Sequence, residues 1–398
     1  MKICMFAKGL PVHILGGMET QVNEIVNGLV ERGHKVTVIT TKHPRGIEKE
    51  VSKNLRIFYV GNKSLKYTRK FHKESAKLFK ILDVEEDFDI IHSQSVSGFG
   101  FVEYANSKKP FIITLHGSFK REVSSAFYAG GIKNWFVSTP YLFLKYILSV
   151  KKKEKRMLDA AKKVLTDTKE TKLDIMQQYK IPEEKFVLVY NGIDTEKFRP
   201  INVENFRNKL GFSRESKFIV SSGRITRQKG YHLLIKILPD LLKKFDTKLI
   251  IIGKGEYLDN LKKLTEKLKV SGTVIFTGKI SDKEMINYYN LADVFAFPTL
   301  RWESFGIVIA EAMSCGKPAI STNIGAIPSV IDDSENGFLI DSGNTKQLRD
   351  KILTLFENEE LAKKMGKNAR NKIVEKFDKD RINEIIIKSY RETANNFT

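Results

Sequence analysis

The chain repeats one pattern, a short apolar run rich in β-forming residues followed by an amphipathic helical stretch, and this repetition limits the possible folds more than any other feature. Lys2–Ala7 is predicted to be a buried strand, and Met18–Arg32 a helix whose apolar side chains recur along one face. Gly33 ends that helix, and Lys35–Thr40 is predicted to be the next strand. Such alternation predicts parallel sheets covered by helices on both faces, which is the α/β class.

The pattern occurs twice, on either side of a segment rich in turn residues. Asn191–Pro200 (NGIDTEKFRP) is predicted to be a linker between the two halves. Lys217–Ser222 is predicted to be the first strand of the second half, and the stretch from about 358 to 395 is helical in pattern throughout. Ligands of parallel α/β sheets bind beyond the carboxyl ends of the strands, so two such halves predict a cleft between them.

The composition excludes several classes of protein. Of the 398 residues, 41% are hydrophobic and 29% are charged, proportions typical of a soluble globular protein. The best candidate for a membrane-spanning segment, Trp135–Val150, is interrupted by Pro140 and Lys145, whereas a span needs about 20 mostly apolar residues. Cys4 and Cys315 lie far apart in apolar surroundings, which excludes a disulfide framework and indicates a reducing compartment. We therefore expect a cytoplasmic protein without a structural metal.

The net charge of the chain is strongly positive. Lys and Arg number 68 against 47 Asp and Glu, a formal charge of +21. The sequence shows no nucleic-acid-binding motif, so nucleic acid is not expected as a partner. The basic run 151–156 (KKKEKR) follows the aromatic stretch 135–146, an order typical of peripheral contact with an anionic membrane, here its inner face. The alternative is a helix packed on a sheet with solvated lysines, and solvated lysines account for most of the charge.

A glycine pair is the first motif that could carry chemistry. Gly16 and Gly17 (GGME) follow the first predicted strand and open a helix. Glycines there let the backbone approach an anion, and the helix N-terminus offers free N–H groups. The spacing is not GxGxxG, so a nicotinamide or flavin dinucleotide is not indicated. The alternative is a simple tight turn.

The second motif is a pair of cations in the loop after the first strand of the second half. Arg224 and Lys229 lie in GRITRQKG, between two glycines. A guanidinium fork together with an ammonium suits a diphosphate, whose charge is spread over several oxygens. The spacing is not that of a P-loop. Either cation alone would be interpreted as solvated, but the two together at a strand end favour a binding role.

The third motif is the most specific and carries two carboxylates. Glu303 precedes a helix that Gly306 opens, and Glu311 lies inside that helix. Free backbone N–H groups near 305–307 can bind a phosphate. A carboxylate on each side can accept hydrogen bonds from hydroxyls, one from a sugar ring and the other from a ribose. The alternatives are a helix-face carboxylate for Glu311 and a helix-start acid for Glu303.

The fourth motif is a histidine at a strand end. His116 lies in TLHG, after the predicted strand Phe111–Leu115. From that position an imidazole could donate to a substrate oxygen or to charge that develops in a transition state. A lone histidine is more often structural. His13 and His92 also lie near strand ends and are weaker candidates.

Taken together, these motifs resemble those of the family 4 glycosyltransferases. They occur in the family's order over nearly the whole chain: GGME, TLHG, NGID, GRITRQKG, IIGKGE and ESFGIVIAE. The resemblance implies the GT-B fold, with two Rossmann-like, doubly wound domains that face a central cleft. Residues 1–195 would form the acceptor-side domain, completed by a C-terminal helix at about 378–398, and residues 196–377 the donor domain.

The resemblance also implies roles for the donor-side residues. Arg224 and Lys229 would neutralise the donor diphosphate. Glu311 would bind the ribose hydroxyls, and Glu303 would contact the transferred sugar and take part in catalysis. The backbone of Phe305, Gly306 and Ile307 would support the distal phosphate.

On the acceptor side, the resemblance implies that Gly16 and Gly17 close over the diphosphate and that His116 is a catalytic residue at the reacting centre. One departure is visible. Family members often read GGxPE where this chain has Gly325-Ala-Ile-Pro-Ser329, without the second glycine and the carboxylate. This departure leaves the role of that loop open.

The activity expected from the resemblance is transfer of a hexose-type sugar from a UDP-, GDP- or ADP-linked donor, with retention of configuration. Neither a metal nor a separate cofactor is expected, because the nucleotide-sugar is a substrate. The acceptor stays open among a lipid carrier, a glycan, a small molecule and a protein. The alternative activity is a nucleotide-sugar epimerase on a related GT-B fold, and a non-catalytic scaffold is a further alternative.

Overall fold

The computed structural model describes residues 1–14, 16–117 and 150–395. Within these residues the chain forms two compact units, one made of residues up to 192 together with 379–395, and the other of residues 193–378. The chain thus leaves the first unit after Gly192 and returns to it at Lys379, against sequence-based boundaries at 195 and about 378. Both units have the α/β architecture that the alternating pattern predicts.

The first unit is built on an eight-stranded sheet with the strand order β3-β4-β2-β1-β5-β6-β7-β8. Its strands are β1 (Lys2–Phe6), β2 (Lys35–Thr41), β3 (Lys49–Val51), β4 (Leu55–Val60), β5 (Ile90–Gln94), β6 (Phe111–Leu115), β7 (Lys163–Thr166) and β8 (Phe186–Leu188). All neighbours pair in parallel except β3 and β4, which are antiparallel. The sequence did not predict β3, because it has only three residues, all exposed, of which only Val51 is apolar.

Helices cover this sheet and complete its core. They are α1 (Gly17–Glu31), α2 (Arg69–Glu86), α3 (Lys151–Ala160) and α4 (Lys169–Tyr179), with short turns at Ser95–Gly98, Phe101–Ala105 and Glu183–Lys185. The strands at the centre of the sheet are buried, as runs such as Ile3–Phe6 and Ile90–Gln94 show. Burial on both faces explains why Ile3–Phe6 is continuously apolar rather than alternating.

The second unit is built on a six-stranded parallel sheet with the order β11-β10-β9-β12-β13-β14. Its strands are β9 (Lys217–Ser222), β10 (Thr247–Ile252), β11 (Val274–Gly278), β12 (Val294–Phe297), β13 (Ala319–Thr322) and β14 (Gly337–Ile340). The sequence did not predict β14, whose four residues lie between turn-forming Asn336 and Asp341. Such a short apolar run is ambiguous until a neighbouring strand pairs with it.

The helices of the second unit are α5 (Glu204–Lys209), α6 (Tyr231–Leu241), α7 (Leu258–Lys267), α8 (Asp282–Leu291), α9 (Ile307–Ser314), α10 (Ile327–Val330), α11 (Thr345–Glu357) and α12 (Glu359–Phe377), with a short turn at Arg227–Lys229. The C-terminal stretch that the sequence predicts as helical throughout is divided at Asp378, whose backbone is not helical (φ −59°, ψ 136°). The chain passes from the second unit to the first at this break.

The last helix, α13 (Lys379–Asn395), packs on the first unit. It approaches α1 closely, because a Cβ atom placed on Gly28 would lie 2.0 Å from Nδ2 of Asn383. Its Tyr390 hydroxyl lies 2.6 Å from Nδ1 of His92, and Nε2 of His92 lies 2.7 Å from Oγ1 of Thr114. All three of these side chains are buried. The His92 network therefore ties α13 to the middle of the sheet.

Replacing Tyr390 with phenylalanine should destabilise the first unit by about 1–3 kcal/mol, because the buried Nδ1 of His92 would lose its hydrogen bond with the Tyr390 hydroxyl. The control is Tyr104→Phe, since Tyr104 is exposed. Thermal unfolding at pH 7 measures both variants. Equal melting temperatures for the two variants would contradict a stabilising role for the His92 network.

Acid should destabilise the protein through His92. Burial lowers the pKa of His92 from 6.5 to about 3. The folded state therefore keeps His92 neutral while the unfolded state takes up a proton below pH 6.5, so this contribution is present above pH 6.5 and is lost as the pH falls towards 3. His92→Gln cannot take up that proton, and its melting temperature should fall less between pH 7 and pH 5 than that of the wild type. An equal fall in melting temperature for the wild type and His92→Gln would refute the proposal that His92 causes the loss of stability in acid.

Candidate active site

The cation-bearing loop joins β9 to α6 in the second unit. Gly223 follows β9, and Arg224 is exposed and forms no ion pair with the residues that the structure describes. Lys229 ends the short turn Arg227–Lys229, and Gly230 then opens α6 with φ +76°. A Cβ atom on Gly230 would lie 1.9 Å from the carbonyl oxygen of Pro298. Only glycine fits this position, which places the loop directly against the end of β12.

Lys229 and Glu303, predicted as separate site residues, are in direct contact. Nζ of Lys229 lies 2.6 Å from Oε1 of Glu303, and the two side chains are only 16% and 14% exposed. The ammonium also lies 4.8 Å from the ring centre of Phe297. Thr299 donates a hydrogen bond of 3.3 Å to the same carboxylate oxygen, and Nε of Arg301 lies 3.8 Å from it. A cation and a carboxylate 74 positions apart thus form one partly buried pair.

The loop at Gly325 supports the backbone of Glu303. The amide of Ala326 donates a hydrogen bond of 2.9 Å to the carbonyl oxygen of Glu303. Gly325 has φ +67°, and a Cβ atom there would lie 2.3 Å from that carbonyl oxygen. The sequence left the role of this loop open, and the structure gives it a structural one. It holds Glu303 without the second glycine or the carboxylate that relatives often carry.

The helix α9 begins directly after Glu303 and its loop. Gly306 caps the helix with φ +88°, a conformation that favours glycine. Phe305 is buried and packs edge-to-face on Phe377 with ring centres 5.2 Å apart, so only its backbone is available to a ligand. Ile307 is the first helical residue. The packing of Phe305 therefore fixes the start of α9, whose first turn carries free backbone N–H groups.

Glu311 is held from inside the unit by Tyr289, which the sequence analysis missed. The Tyr289 hydroxyl donates to Oε2 of Glu311 at 2.8 Å and lies 2.9 Å from Oγ of Ser222 at the end of β9. Burial raises the pKa of Tyr289 above its usual value, so the phenol stays neutral and can donate. Tyr289 lies in α8, 22 positions from Glu311. No local pattern could pair the two.

In the first unit, Gly16 and Gly17 lie at the start of α1, as predicted. Gly16 is extended, with φ −140°, and Gly17 is the first residue of the helix. The carboxylate of Glu19 folds back over this turn, because a Cβ atom on Gly16 would lie 2.5 Å from its Oε2. The helix start is therefore already close to a negative charge supplied by the chain itself, and diphosphate contact at Gly16 and Gly17 stays a prediction.

His116 follows β6 and lies between two polar side chains from the neighbouring strands. Its Nε2 lies 2.9 Å from Oε1 of Gln94, the last residue of β5, and its Nδ1 lies 4.0 Å from Oδ2 of Asp167, which follows β7. Burial lowers the pKa of His116 to about 4 and raises the pKa of Asp167 to about 7. The imidazole is therefore neutral at pH 7. The sequence analysis missed Gln94 and Asp167, although Gln94 ends β5 and Asp167 directly follows β7.

The two weaker histidine candidates have structural roles. Nδ1 of His13 accepts a hydrogen bond of 3.1 Å from the amide of Leu10, and its Nε2 lies 3.0 Å from the carbonyl oxygen of Thr41. His13 thus joins two loops. His92 belongs to the buried network with Tyr390.

The described residues contain neither a metal-ligand cluster nor a helix that could span a membrane. Within residues 1–14, 16–117 and 150–395, no three His, Cys, Asp or Glu side chains are grouped as metal ligands. Among the helices in those same ranges, none combines the length and the apolar character needed to cross a membrane.

Comparison with known families matches both units. Residues 15–197 match the model described as Glycosyltransferase Family 4, and residues 202–372 match the model described as Glycosyl transferases group 1. An uncharacterized glycosyltransferase of Methanocaldococcus jannaschii is 27% identical, with 98% of each chain covered. A GDP-mannose-dependent α-(1-6)-phosphatidylinositol monomannoside mannosyltransferase of Mycobacterium tuberculosis is 32% identical over 45% of this chain and 49% of its own.

A solved structure of similar fold matches the chain over nearly its whole length. The crystal structure of Anabaena HepE in complex with UDP-glucose aligns with a TM-score of 0.74 and 20% identity, covering 98% of this chain and 100% of that one. At this identity the likeness shows the fold alone. The Rossmann-like units with parallel sheets are those of the GT-B glycosyltransferases. With both units matched in order, the chain belongs to the family 4 glycosyltransferases.

Proposed function

We propose that the protein is a retaining glycosyltransferase that moves a hexose-type sugar from a nucleoside diphosphate donor to an acceptor. The Lys229–Glu303 pair carries the proposal, because one contact of 2.6 Å joins a cation suited to a diphosphate and a carboxylate suited to sugar hydroxyls. Relatives support a UDP- or GDP-linked donor: the HepE structure holds UDP-glucose, and the mycobacterial relative is named as GDP-mannose-dependent. An ADP-linked donor stays within the proposal.

The proposed chemistry follows from where charge develops. When the bond between the anomeric carbon and the phosphate oxygen breaks, its electron pair stays on the leaving diphosphate. Lys229, Arg224 and the first turn of α9 offer positive charge to that group, and one well-placed donor can contribute about 2.7–4 kcal/mol. The acceptor oxygen then bonds to the anomeric carbon on the same face, and its proton passes to the leaving phosphate. We assign no covalent nucleophile, and Glu303 and His116 keep their proposed catalytic roles.

The proposal includes independence of metals and of separate cofactors. Its support is that Lys229 and Arg224 can supply the positive charge that a divalent ion would otherwise bring to a diphosphate. Transfer rates with EDTA and with added Mg²⁺ or Mn²⁺ test this point. Equal rates are expected, and loss of transfer in EDTA with recovery on adding the ion would refute it.

The donor is identified by a panel of nucleotide-sugars. Thermal unfolding is measured with UDP-, GDP- and ADP-linked hexoses, and the stabilising donor is then incubated with candidate acceptors and analysed by mass spectrometry for an added hexose. Incubation without acceptor tests the epimerase alternative, for which the described residues offer no further support. An unchanged or slowly hydrolysed donor is expected, and clean conversion to an epimer would overturn the transferase proposal.

We further propose that the protein is cytoplasmic and contacts the inner face of an anionic membrane, where a lipid-linked acceptor would lie. Support comes from α3 and the end of α4, where Lys151, Lys152 and Lys180 line a groove of about 540 Å³. The ion pairs Lys155–Asp159 and Arg156–Glu103 neutralise two further cations nearby. The aromatic stretch 135–146 lies outside the described residues and stays a prediction.

Vesicle co-sedimentation tests the membrane proposal. We expect binding to vesicles that contain phosphatidylglycerol and none to pure phosphatidylcholine vesicles. Replacing Lys151, Lys152 and Lys180 by glutamine should weaken that binding. The matched control replaces three exposed lysines of α7 in the second unit, Lys262, Lys263 and Lys267. Equal losses in both triple variants would show a general charge effect and contradict a site on α3.

A further inference from the structure

Three polar side chains lie side by side at the carboxyl edge of the first unit's sheet. Gln94 ends β5, His116 follows β6 and Asp167 follows β7. These three strands are neighbours in the parallel sheet, and the register aligns Gln94 with Thr114 and Leu115 with Thr166. The sheet therefore places His116 between an amide on one side and a carboxyl group on the other.

Both ring nitrogens of His116 are directed to these neighbours. Oε1 of Gln94 can only accept, so Nε2 carries the hydrogen that bridges the 2.9 Å between them. In a neutral imidazole the lone pair is then on Nδ1, which is the nitrogen that lies 4.0 Å from Oδ2 of Asp167. The side chain of His116 is only 7% exposed. The hydrogen bond to Gln94 thus holds the ring at Nε2, and Nδ1 faces the Asp167 carboxyl group at a distance longer than a hydrogen bond.

Asp167 is a buried carboxyl group in an unusual position. Its side chain is 2% exposed, and its Oδ1 has no hydrogen-bond partner in the part of the chain that the structure describes. His116 is the one cationic candidate that the described residues place within 4.0 Å of it. Thr171 gives Asp167 one side-chain hydrogen bond, but a buried carboxylate with an unsatisfied oxygen is costly, so Asp167 must either keep its proton or face an imidazolium.

We infer that Asp167 is a positioning residue for His116. Gln94 holds Nε2 of the imidazole, while Asp167 holds the Nδ1 side and exchanges one proton with Nδ1. The exchange breaks the O–H bond of the Asp167 carboxylic acid and forms an N–H bond at Nδ1, leaving a carboxylate beside an imidazolium. It needs no other reactant. It requires the 4.0 Å separation to close by about 1 Å to hydrogen-bond distance.

The charges around the pair determine where the proton lies. Burial favours the neutral forms of both groups, since it raises the pKa of Asp167 and lowers that of His116. Glu170, in the first turn of α4, adds to the rise at Asp167, and the side chain of Thr171 opposes it. His92 lies behind His116 in β5 and stays neutral through its own burial. A negative charge that arrives beside His116 would favour the imidazolium, because opposite charges stabilise each other.

The inference rests on the proposed function in one respect, namely that His116 acts at the reacting centre, where a diphosphate leaves with negative charge. His116 would then contribute a positive charge that forms only when the anion is present. Asp167 would act through His116 and would not touch the substrate.

The first test observes the pair directly and does not depend on activity. ¹⁵N-histidine-labelled protein is titrated from pH 5 to pH 9, with the His116 signals identified in a His116→Gln variant. The wild type should show an inflection near pH 7 in the His116 ring signals, and Asp167→Asn should show none. No inflection in the wild type, or the same inflection in Asp167→Asn, would overturn the inference.

The second test measures kinetics. In Asp167→Asn, kcat should fall roughly 10- to 100-fold, the range found for partners of metal-bound histidines, while the donor KM changes little. The pH dependence of kcat near pH 7 should disappear. The matched control is Asp83→Asn, a partly buried aspartate of α2 that binds Lys109 and the amide of Phe88. A folded Asp167→Asn enzyme with unchanged kcat and pH profile would overturn the positioning role.

Gln94→Met provides an independent variant if Asp167→Asn does not fold. It keeps the length of the side chain but removes the acceptor for Nε2, so it should lower kcat and change the ring signals of His116. Unchanged signals in folded Gln94→Met would contradict the arrangement. A wild-type enzyme that transfers no sugar would refute the proposed function, whereas the titration would still decide the Asp167–His116 pair.

Discussion

Replacing Lys229 by methionine should lower kcat/KM for sugar transfer by about 10²- to 10³-fold, the loss found when one donor to a developing negative charge is removed. The ammonium lies 2.6 Å from Glu303 and is 16% exposed, so its charge is only partly screened by water. Methionine keeps the apolar stem over Phe297 and removes only the charge. Initial rates with saturating acceptor and varied donor measure the effect, which should include a higher donor KM.

The control for Lys229 is a second buried lysine in the same unit. Lys372 is 8% exposed, and its Nζ lies 2.8 Å from Oδ1 of Asp332. Lys372→Met therefore also breaks a partly buried ion pair, but at a place where no site residue is predicted. We expect it to lower the melting temperature and leave kcat/KM unchanged. If both variants lose activity to the same degree, the loss reports damage to the fold and the role of Lys229 is refuted.

Replacing Glu303 by glutamine should lower kcat by about 10²-fold or more, because a carboxylate that accepts hydrogen bonds from sugar hydroxyls loses its charge-assisted bonds. Glutamine has the same shape, and the bond from Ala326 to the carbonyl oxygen of Glu303 is untouched. Single-turnover rates with bound donor separate this effect from binding. The control is Asp332→Asn, the partner of Lys372.

The two substitutions should not be independent. Lys229 and Glu303 are in contact, and the effects of residues in contact do not add. The double variant Lys229→Met/Glu303→Gln should therefore lose less than the product of the two single losses. A strictly multiplicative loss would indicate that the contact between Lys229 and Glu303 contributes nothing to the reaction.

Local patterns in the sequence predicted much of the fold. Alternating apolar runs and amphipathic stretches specified α/β units, since the periods of strands and helices are set by backbone geometry alone. The turn-rich stretch 191–200 was predicted to join them, and the chain passes from the first unit to the second after Gly192. Two short strands, Lys49–Val51 and Gly337–Ile340, escaped prediction because three or four residues are too few to be recognised as a strand before a neighbouring strand pairs with them.

The sequence pattern could also predict site residues that lie between glycines in one loop. Arg224 and Lys229 are spaced between Gly223 and Gly230, and the strand that precedes them ends at Ser222. Their position at the carboxyl end of a parallel strand follows from sequence order. The loop at Gly325 was accessible only as a departure from the family pattern, and its contact with Glu303 was not.

The sequence by itself determined the two α/β halves, the loops at strand ends and the residue types in those loops, because these depend on periodicity and on the backbone needs of glycine. Only the tertiary structure decided which of these residues are in contact. Lys229 contacts Glu303 across 74 positions, Tyr289 holds Glu311, and Gln94 and Asp167 enclose His116. Periodicity states which face of a strand is buried, whereas the order of strands in the sheet decides which side chains become neighbours.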